Sequence, residues 1–531
     1  MSCRRSPAIV VVLTLGIVLG CSNEPVAPSG QTPPPPSPVS TVTVDAAQGS
    51  VLVGGTMQFS ATVRDASGVT LPGYIVTWAS SDNTVAAINV TGVVTGVGEG
   101  AATITATAEG KQGNASIAVA VGSLLIVAGD GQVGSLGLPL SDSLIVKVAD
   151  PSGDGLPGVA VLWVENNSGL VSPGAVVTDS AGLARVWWRL GTTTGVQTAT
   201  VQMATARALG AGSVTFTATT PSLVPLIDMG ASTYFGFPGG LYPGGNNIPQ
   251  AHAGAGRAFA ASVQPLDTNG NPSPAGNYVF LAIGASNANL IWCFFDSPDP
   301  CPSYSFTGQA LADPEVESTN LALVLGVCCG GAPSYQSPGQ SDYNRIRDDK
   351  LVPLGLSEQQ VQVVWLKTGG GDDSAFPRHD SVEVVQLGNV TRALRSRYPN
   401  LRLVFLSSGL YGGYAGRGGS GGRDPYGYEQ GFSLKWLIEA QIDQMASGVV
   451  DGGAGDLNYD TVAPWIGWGP YFWADGVNLR SDGLFWPRGD FESDGIHLLP
   501  SGIDKSADLL LTLFKTSPQT RCWFLNTGVT C

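Results

Sequence analysis

Basic residues are scarce in this chain of 531 residues. Lysine and arginine together number 26, against 41 aspartate and glutamate residues, and no basic patch is visible. Because nucleic-acid binding depends on clustered lysine and arginine, we expect no nucleic acid among the partners of this protein. Charged residues make up only 13% of the chain, whereas glycine numbers 72. A chain with few charges and abundant glycine and threonine is typical of an extracellular, β-rich protein.

Cysteine is absent from residues 41–220, so no disulfide is available to join two sheets there. Histidine occurs only three times, and no group of cysteine and histidine has the spacing of a zinc site. We therefore expect neither a metal ion nor a cofactor. His379, in the run PRHD, is expected to lie on the surface or in a loop.

The N-terminus carries Arg4 and Arg5 and then an apolar run from Ala8 to Leu19, which is too short for a membrane span. This pattern predicts a secretory signal over residues 1–20. The run ends in VLGC, which resembles a bacterial lipoprotein signal and implies acylation of Cys21. The resemblance implies a lipid-anchored protein of the bacterial cell envelope, at the outer membrane or cell surface. An ordinary secretory cleavage is the alternative.

Residues 21–40 contain the run QTPPPPSP, which predicts an extended, proline-rich linker. Residues 41–220 then consist of short alternating runs separated by Gly, Asp and Ser turns, which predicts strands. An internal repeat divides this region, since the pattern from Asp65 to Trp78 recurs at a constant offset from Asp150 to Trp163. The repeat predicts two tandem β-sandwiches, at 41–121 and 122–220, each with a tryptophan in its core.

The run TGVVTGVGEGAATITAT in the first sandwich resembles the bacterial Ig-like group 2 domains. The second sandwich resembles invasin-type Ig-like domains. Two roles are open for these domains: a spacer, or a module that binds a glycan or another surface.

Residues 221–531 alternate between strand and helix patterns. Leu321–Val327, Val361–Leu366 and Leu401–Leu406 read as strands, and Val382–Arg397 and Phe432–Ala446 as helices. This alternation predicts an α/β three-layer domain with a parallel sheet, so that the chain as a whole is multidomain. In such a domain, we expect the active groups at the carboxyl ends of the strands.

Two short stretches of this region contain the residue types of nucleophilic catalysis. YVFLAIGASNAN, residues 278–289, is an apolar strand that breaks at Gly284 into a turn with Ser286. DFESDGIHLLPSG, residues 490–502, places Asp494 and His497 three residues apart, just before an amphipathic helix pattern. A serine nucleophile needs a base, and the base needs a carboxylate that fixes its tautomer. Of the three histidines, only His497 has this context.

GASN followed by DGIHLLPSG resembles the SGNH (GDSL-like) hydrolases, whose first block contains the serine and whose last block is D-x-x-H. The G-x-S-N form is similar to that of carbohydrate acetylesterases in this superfamily. The resemblance covers roughly 221–531 and implies Ser286 as the nucleophile, His497 as the general base and Asp494 as its orienting carboxylate. It also implies a serine esterase that removes O-acetyl groups from a polysaccharide through an acyl-enzyme.

The middle blocks of that family match poorly. Oxyanion donors are expected from the Ser286 backbone N–H and from Gly330 or Gly331. The family's asparagine, however, has no counterpart in Lys367–Gly371. Lys367 could replace it, or another loop could supply the donor. Lys367 could also be only a solvated strand end. This departure supports the alternative function, an adhesin or glycan-binding surface lipoprotein with a degenerate hydrolase domain.

Three further residues are candidate substrate contacts. Asn287 follows the proposed nucleophile directly, and Trp473 and Trp486 lie in a run of aromatic residues before His497. Exposed rings of this kind would stack on sugar rings, whereas packing in the core is the alternative.

The six cysteines after residue 220 form an even set, which in an exported chain predicts disulfides. The local pairs are Cys293 with Cys301 and Cys522 with Cys531. They would leave the adjacent residues 328 and 329 to bridge each other or other loops. The residues alone leave the connectivity open.

Overall fold

The computed structural model describes residues 37–531 except 151, 167–168, 205–211, 294–299, 328–329, 373, 416–422, 527 and 529. The described residues divide into two compact units, one ending at Ala120 and one beginning at Val121. The predicted signal, the lipidation site Cys21 and most of the linker lie outside the described residues. In the part of the chain that the structure describes, no helix has the length and apolar character needed to cross a membrane.

The first unit is all β, as predicted. One sheet has the strand order β2-β9-β8-β5, a second has the order β3-β7-β6, and β1 pairs with β4. Phe59, Ile104 and Ile117 are fully buried and lie in a core that both larger sheets line. The strands are β1 (Thr41–Asp45), β2 (Gln48–Leu52), β3 (Thr56–Gln58), β4 (Ser60–Arg64), β5 (Thr77–Ser80), β6 (Ala86–Ile88), β7 (Val93–Gly96), β8 (Gly100–Ala108) and β9 (Lys111–Ala120).

The second unit begins with another pair of sheets, of order β10-β12-β16-β14 and β11-β18-β17-β13-β15. Their shared core includes Trp163, whose ring lies 5.4 Å from that of Phe216. The strands are β10 (Ser123–Ala128), β11 (Gln132–Val133), β12 (Leu144–Ala149), β13 (Ala160–Glu165), β14 (Leu170–Ser172), β15 (Ala175–Val177), β16 (Leu183–Arg189), β17 (Gly195–Met203) and β18 (Val214–Thr220).

The internal repeat folds the same way in both sandwiches. The Asp65 carboxylate accepts the backbone N–H groups two and four residues ahead, at 2.9 and 3.0 Å. Asp150 accepts the corresponding pair, both at 2.9 Å. Each turn leads into the strand that carries the repeated tryptophan, Trp78 on β5 and Trp163 on β13. The repeat therefore encodes a turn held by its own carboxylate and a strand that anchors the core.

The C-terminal region, from residue 221, contains the predicted parallel sheet, in the order β22-β21-β23-β24-β25. The predicted boundary near residue 220 stays a prediction, because both sides of it belong to the second unit. The strands are the hairpin β19 (Thr233–Tyr234) and β20 (Phe237–Pro238), then β21 (Tyr278–Gly284), β22 (Leu321–Leu325), β23 (Val361–Lys367), β24 (Leu403–Leu406) and β25 (Trp465–Trp468).

Alternate residues of β21 belong to two different cores. Val279, Leu281 and Ile283 face a core shared with the helices α5 (Arg378–Arg397) and α6 (Tyr426–Ser447). Phe280 and Ala282 face a second core, shared with the other large helices. Helices thus cover both faces of the sheet, which confirms the three layers. The helices are α1 (Gln250–Ala261), α2 (Ser286–Trp292), α3 (Phe306–Ala312), α4 (Ser341–Arg345), α5 (Arg378–Arg397), α6 (Tyr426–Ser447), α7 (Pro500–Thr516) and α8 (Arg521–Phe524).

Both local cysteine pairs are bonded. Cys293 joins Cys301 close to α2, and Cys522 joins Cys531 across the C-terminus. The adjacent cysteines at 328 and 329 lie outside the described residues. The two bonds join residues that are 8 and 9 positions apart in the sequence.

A buried carboxyl group links the second sandwich to the C-terminal region. Glu429 on α6 is fully buried, and its Oε1 accepts hydrogen bonds from Tyr234 Oη at 2.6 Å and from Ser135 Oγ at 3.3 Å. Burial raises the pKa of Glu429 to about 7. Burial also raises the pKa of Asp380 and, to about 7, that of Asp424. Burial therefore disfavours the charged forms of these three carboxyl groups.

Glu429→Gln is expected to weaken the dependence of stability on pH. A pKa raised from 4.5 to about 7 means that the folded chain holds a proton that the unfolded chain has lost. The stability contributed by Glu429 is full below pH 4.5 and is lost as pH rises through about 7. The free energy of unfolding of the wild type should fall across this window. That of the variant should fall less steeply, and the two slopes should differ by up to about 1.4 kcal/mol per pH unit.

Chemical denaturation at several pH values measures this difference. Asp443→Asn, which changes an exposed carboxylate on the same helix, is the control. Parallel curves for wild type and Glu429→Gln would contradict the expectation.

Candidate active site

The turn that presents Ser286 depends on a close contact between two strands. A Cβ atom on Gly284 would lie 2.0 Å from the carbonyl oxygen of Lys367 on β23, so no larger residue fits there. The same carbonyl oxygen accepts the N–H of Ala285 at 3.1 Å. The chain then turns sharply, and Ser286 becomes the first residue of α2. The predicted strand, turn and serine at the carboxyl end of a strand are all found.

The second stretch forms a tight turn ahead of α7. One oxygen of Asp494 accepts the N–H groups of Ile496 and His497, at 2.9 and 3.1 Å. The backbone N–H of Glu492 donates to the His497 carbonyl at 2.8 Å. Asp494 thus holds the turn with one oxygen and leaves the other oxygen for the imidazole.

The structure brings Ser286, His497 and Asp494 together. His497 Nε2 lies 2.8 Å from Ser286 Oγ, and His497 Nδ1 lies 2.5 Å from Asp494 Oδ2. Partial burial alone would raise the pKa of Asp494, but hydrogen bonds from His497 and Ile496 hold it at about 2. Asp494 is therefore ionised at neutral pH and can orient and stabilise the imidazole. These distances match those of a serine nucleophile with its base and orienting carboxylate.

The three side chains lie at an open rim of the domain. The side chain of His497 is 38% exposed and that of Asp494 is 45% exposed. Ser286 is half-buried.

The predicted oxyanion donors occupy the same edge of the sheet. The Ser286 N–H is at the first position of α2, where no carbonyl of the helix can accept it. Gly330 and Gly331 follow β22, which pairs with β21. Ala332 N donates to Gly369 O at 2.8 Å, which ties the loop after β22 to the loop after β23.

Lys367 is not a solvated strand end. The residue is only 8% exposed, and burial lowers its pKa to about 8. Its Nζ lies 5.7 Å from the centroid of the Phe472 ring. Because Lys367 pairs with Gly284, its side chain projects on the same face of the sheet as Trp365 and α2. A buried lysine therefore ends the strand after which the family resemblance led us to expect an asparagine.

The prediction that Trp473 and Trp486 contact substrate is wrong. Both rings are fully buried. The Trp473 indole N–H donates to Asp424 at 2.9 Å, and that of Trp486 donates to the carbonyl of Phe472 at 2.7 Å. Packing in the core, the alternative for these rings, accounts for both.

The amide of Asn287, the third predicted substrate contact, bonds to another part of the chain. Its Nδ2 donates to the Ile496 carbonyl at 3.0 Å, and its Oδ1 accepts the Leu498 N–H at 3.2 Å. Both ends of the amide are thus bonded to the turn that carries His497.

Two aromatic residues beside the turn that carries His497 were missed. Tyr411 and Tyr414 are half-buried, with ring centroids 4.8 Å apart. The backbone of Tyr414 packs against Gly495, where a Cβ atom would lie 2.2 Å from the Tyr414 carbonyl oxygen. Both tyrosines lie in the run YGGY, which follows β24 closely in the sequence. A loop after a parallel strand lies at the carboxyl edge of the sheet, so this position could have indicated them.

The other histidines have structural surroundings. His252 is buried, stacks on Trp465 at 4.8 Å, and burial lowers its pKa to about 4. His379 is buried in the first turn of α5, against Tyr426, so its predicted surface position is wrong. Among the residues that the structure describes, no group of three or more His, Cys, Asp or Glu could hold a metal ion.

Comparison with known proteins identifies one part of the chain. The bacterial Ig-like domain (group 2) family matches residues 38–120. This segment is a bacterial Ig-like domain. The match confirms the resemblance that the TGVVTGVGEGAATITAT run of this Ig-like domain predicted. No curated protein matches the chain.

Several solved structures share a weak likeness with the chain. Domains 4 and 5 of the S-layer protein SbsC are 16% identical, over 35% of this chain and 99% of that one, with a TM-score of 0.21. The Yersinia pseudotuberculosis adhesin InvE is 16% identical, over 40% and 65%, with a TM-score of 0.20. The Escherichia coli adhesin FdeC is 15% identical, over 35% and 66%, with a TM-score of 0.21. At these scores the likeness supports no conclusion about the chain beyond the Ig-like domain.

Gly284→Ala is expected to destabilise the second unit by about 1–3 kcal/mol, because the added methyl group overpacks the Lys367 carbonyl. Thermal or chemical unfolding of the purified protein measures the loss. Gly339→Ala is the matched control, since a Cβ atom there meets nothing within 4 Å. Equal stability of the two variants would show that the contact between the strands is not required.

Proposed function

We propose that residues 221–531 form an SGNH-type serine esterase, which the Ig-like region displays outside the cell. The observation that supports this most directly is the chain of hydrogen bonds from Asp494 through His497 to Ser286. The Ig-like match lies outside this region, so the proposal rests on the geometry and on the resemblance of the GASN and DGIHLLPSG stretches.

The geometry supports a two-step ester hydrolysis. Ser286 Oγ attacks the ester carbonyl carbon while His497 Nε2 takes its proton, and Asp494 stabilises the imidazolium that forms. The carbonyl oxygen becomes an oxyanion, which the Ser286 N–H and the loop after β22 would stabilise. The C–O bond then breaks, and His497 returns the proton to the leaving alcohol. Water, deprotonated by His497, attacks the acyl-enzyme, which releases the carboxylic acid and the serine.

An O-acyl group on a carbohydrate, with acetyl favoured, is the substrate class that we propose. The exposed rim around His497 and Asp494 would accept a polymer. Tyr411 and Tyr414, beside the His497 turn, are better placed than the buried tryptophans to contact a sugar ring. The choice of acetyl rests on the resemblance of the G-x-S-N form to carbohydrate acetylesterases.

A second candidate function is supported by the comparisons. The family match is to a bacterial Ig-like domain, which favours a cell-surface protein, such as an adhesin or a glycan-binding protein. In that case the C-terminal region would be a hydrolase fold without activity. Anchoring through a lipid on Cys21 is part of either proposal.

Ser286→Ala and His497→Ala should each lower the turnover of a chromogenic acetate by roughly 10⁴–10⁶, because each removes one member of a unit that acts together. Ser447→Ala, at the C-terminal end of α6, is the control and should keep wild-type turnover. Full activity in Ser286→Ala would refute the proposal.

A fluorophosphonate probe separates the two candidate functions. It should modify Ser286 in the wild type and not in Ser286→Ala, as shown by mass spectrometry of the labelled peptide. A folded wild-type protein that takes up no label would favour the adhesin.

Lys367→Met tests the role of the buried lysine. Because the pKa of Lys367 is lowered to about 8, the unfolded chain binds more protons than the folded chain between about pH 8 and 10.5. The charge therefore costs stability below pH 8, and the variant should be more stable at pH 7.

If Lys367 serves the oxyanion, turnover should fall by about 10²–10³ in the same variant. Denaturation and steady-state kinetics on one preparation measure both, and unchanged turnover would assign Lys367 no part in the reaction.

A further inference from the structure

Hydrogen bonds within the turn that carries His497 define the shape of the turn, but they do not fix its position relative to Ser286. The Asp494 carboxylate and the Glu492 N–H define its curvature through bonds to its own backbone. Such local bonds fix the imidazole relative to Asp494. They do not fix the distance between the imidazole and Ser286. Ser286 closely follows β21 and lies more than two hundred residues earlier in the chain.

Phe491 and Leu498, at the two ends of the turn, pack in the core, and the side chain of Asn287 adds a hydrogen-bonded attachment between them. Its Nδ2 donates to the carbonyl of Ile496, and its Oδ1 accepts the N–H of Leu498. These are the residues immediately before and after His497. Among the described residues, the only other hydrogen bond between residues 284–293 and 490–498 is the one that joins Ser286 to His497.

We infer that Asn287 is a positioning residue, whose amide holds the His497 turn against the nucleophile turn and thereby sets the distance from Ser286 Oγ to His497 Nε2. The inference rests on the proposed function, since it concerns the same nucleophile and base.

The position and chemistry of Asn287 suit this role. It is next to Ser286 and lies in α2, whose following residues Ala288, Leu290 and Ile291 are buried in the core of the domain. Movement of α2 would therefore move the nucleophile and the amide together. A carboxamide offers both a donor and an acceptor, whereas aspartate at neutral pH only accepts and alanine does neither.

The exposure of His497 makes the attachment more important. Its side chain is 38% exposed, so packing constrains the imidazole only in part. A displacement of about 1 Å between reacting groups can cost about 10² in rate. Loss of two bonds that flank the base is expected to permit a displacement of that order.

Asn287→Ala is the test, with kcat and KM measured on a chromogenic acetate. We expect kcat to fall about 10²-fold while KM stays within about twofold, because the base is misplaced and the ester is bound as before. Asn287→Asp keeps only the acceptor and places a carboxylate against the Ile496 carbonyl, so it should remain defective.

Asn320→Ala is the matched control. The Asn320 amide donates to the carbonyls of Pro274 and Gly276, at 3.1 and 2.7 Å, next to the amino end of β22 and so at the opposite edge of the sheet. It should lose comparable stability in thermal unfolding but keep wild-type kcat. An equal loss of kcat in both variants would reduce Asn287 to a structural residue. A raised KM with unchanged kcat would make it a substrate contact, and either result would overturn the inference.

A crystal structure of Asn287→Ala tests the inference without reference to activity. We expect His497 Nε2 to lie beyond hydrogen-bonding distance of Ser286 Oγ, and an unchanged distance would overturn the inference. If the wild type neither hydrolyses esters nor takes up a fluorophosphonate, the proposed function fails. The crystallographic distance then still decides whether Asn287 positions the imidazole.

Discussion

Glycine at position 284 lets β21 and β23 approach so closely at their carboxyl ends that no side chain fits between them. The Lys367 carbonyl fills the space that a Cβ atom would need, and it also accepts the next N–H of the chain. This contact ends the strand and starts α2 within two residues. Ser286 therefore stands at the rim of the sheet, where the loops of neighbouring strands can reach it.

The rest of the site depends on that rim. The loop after β22 brings glycine amides to it, the loop after β24 brings tyrosines, and the turn before α7 brings the imidazole and the carboxylate. The hydrogen bonds from Asn287 to the backbone on either side of His497 hold this last turn in place together with packing. The half-exposed triad contrasts with Lys367 and Glu429, two ionisable groups that burial drives toward their neutral forms.

Much of this could be predicted from the sequence. The repeat of Asp65–Trp78 at Asp150–Trp163 predicted two similar sandwiches, because a turn capped by its own aspartate and a core tryptophan are local features. The alternation after residue 221 predicted the parallel sheet and its layers, since each element has its own period. The pairing of Ser286 with His497 was predicted from residue types and resemblance.

Burial was harder to predict, because it depends on what other segments cover. Trp473 and Trp486 have the composition of a sugar-binding surface, yet both rings are enclosed by the core. Lys367 ends a strand, as an exposed lysine often does, but it is buried and its Nζ lies 5.7 Å from the centroid of the Phe472 ring. His379 was misplaced for the same reason.

The sequence by itself determined where strands and helices form and which residues could act as nucleophile, base and carboxylate, because these depend on local periodicity and on side-chain chemistry. Only the tertiary structure decided that Asn287 bonds to the His497 turn, that Lys367 is buried and that two half-buried tyrosines, and not the tryptophans, lie beside that turn. Those facts depend on contacts between segments far apart in the chain, which no local pattern records.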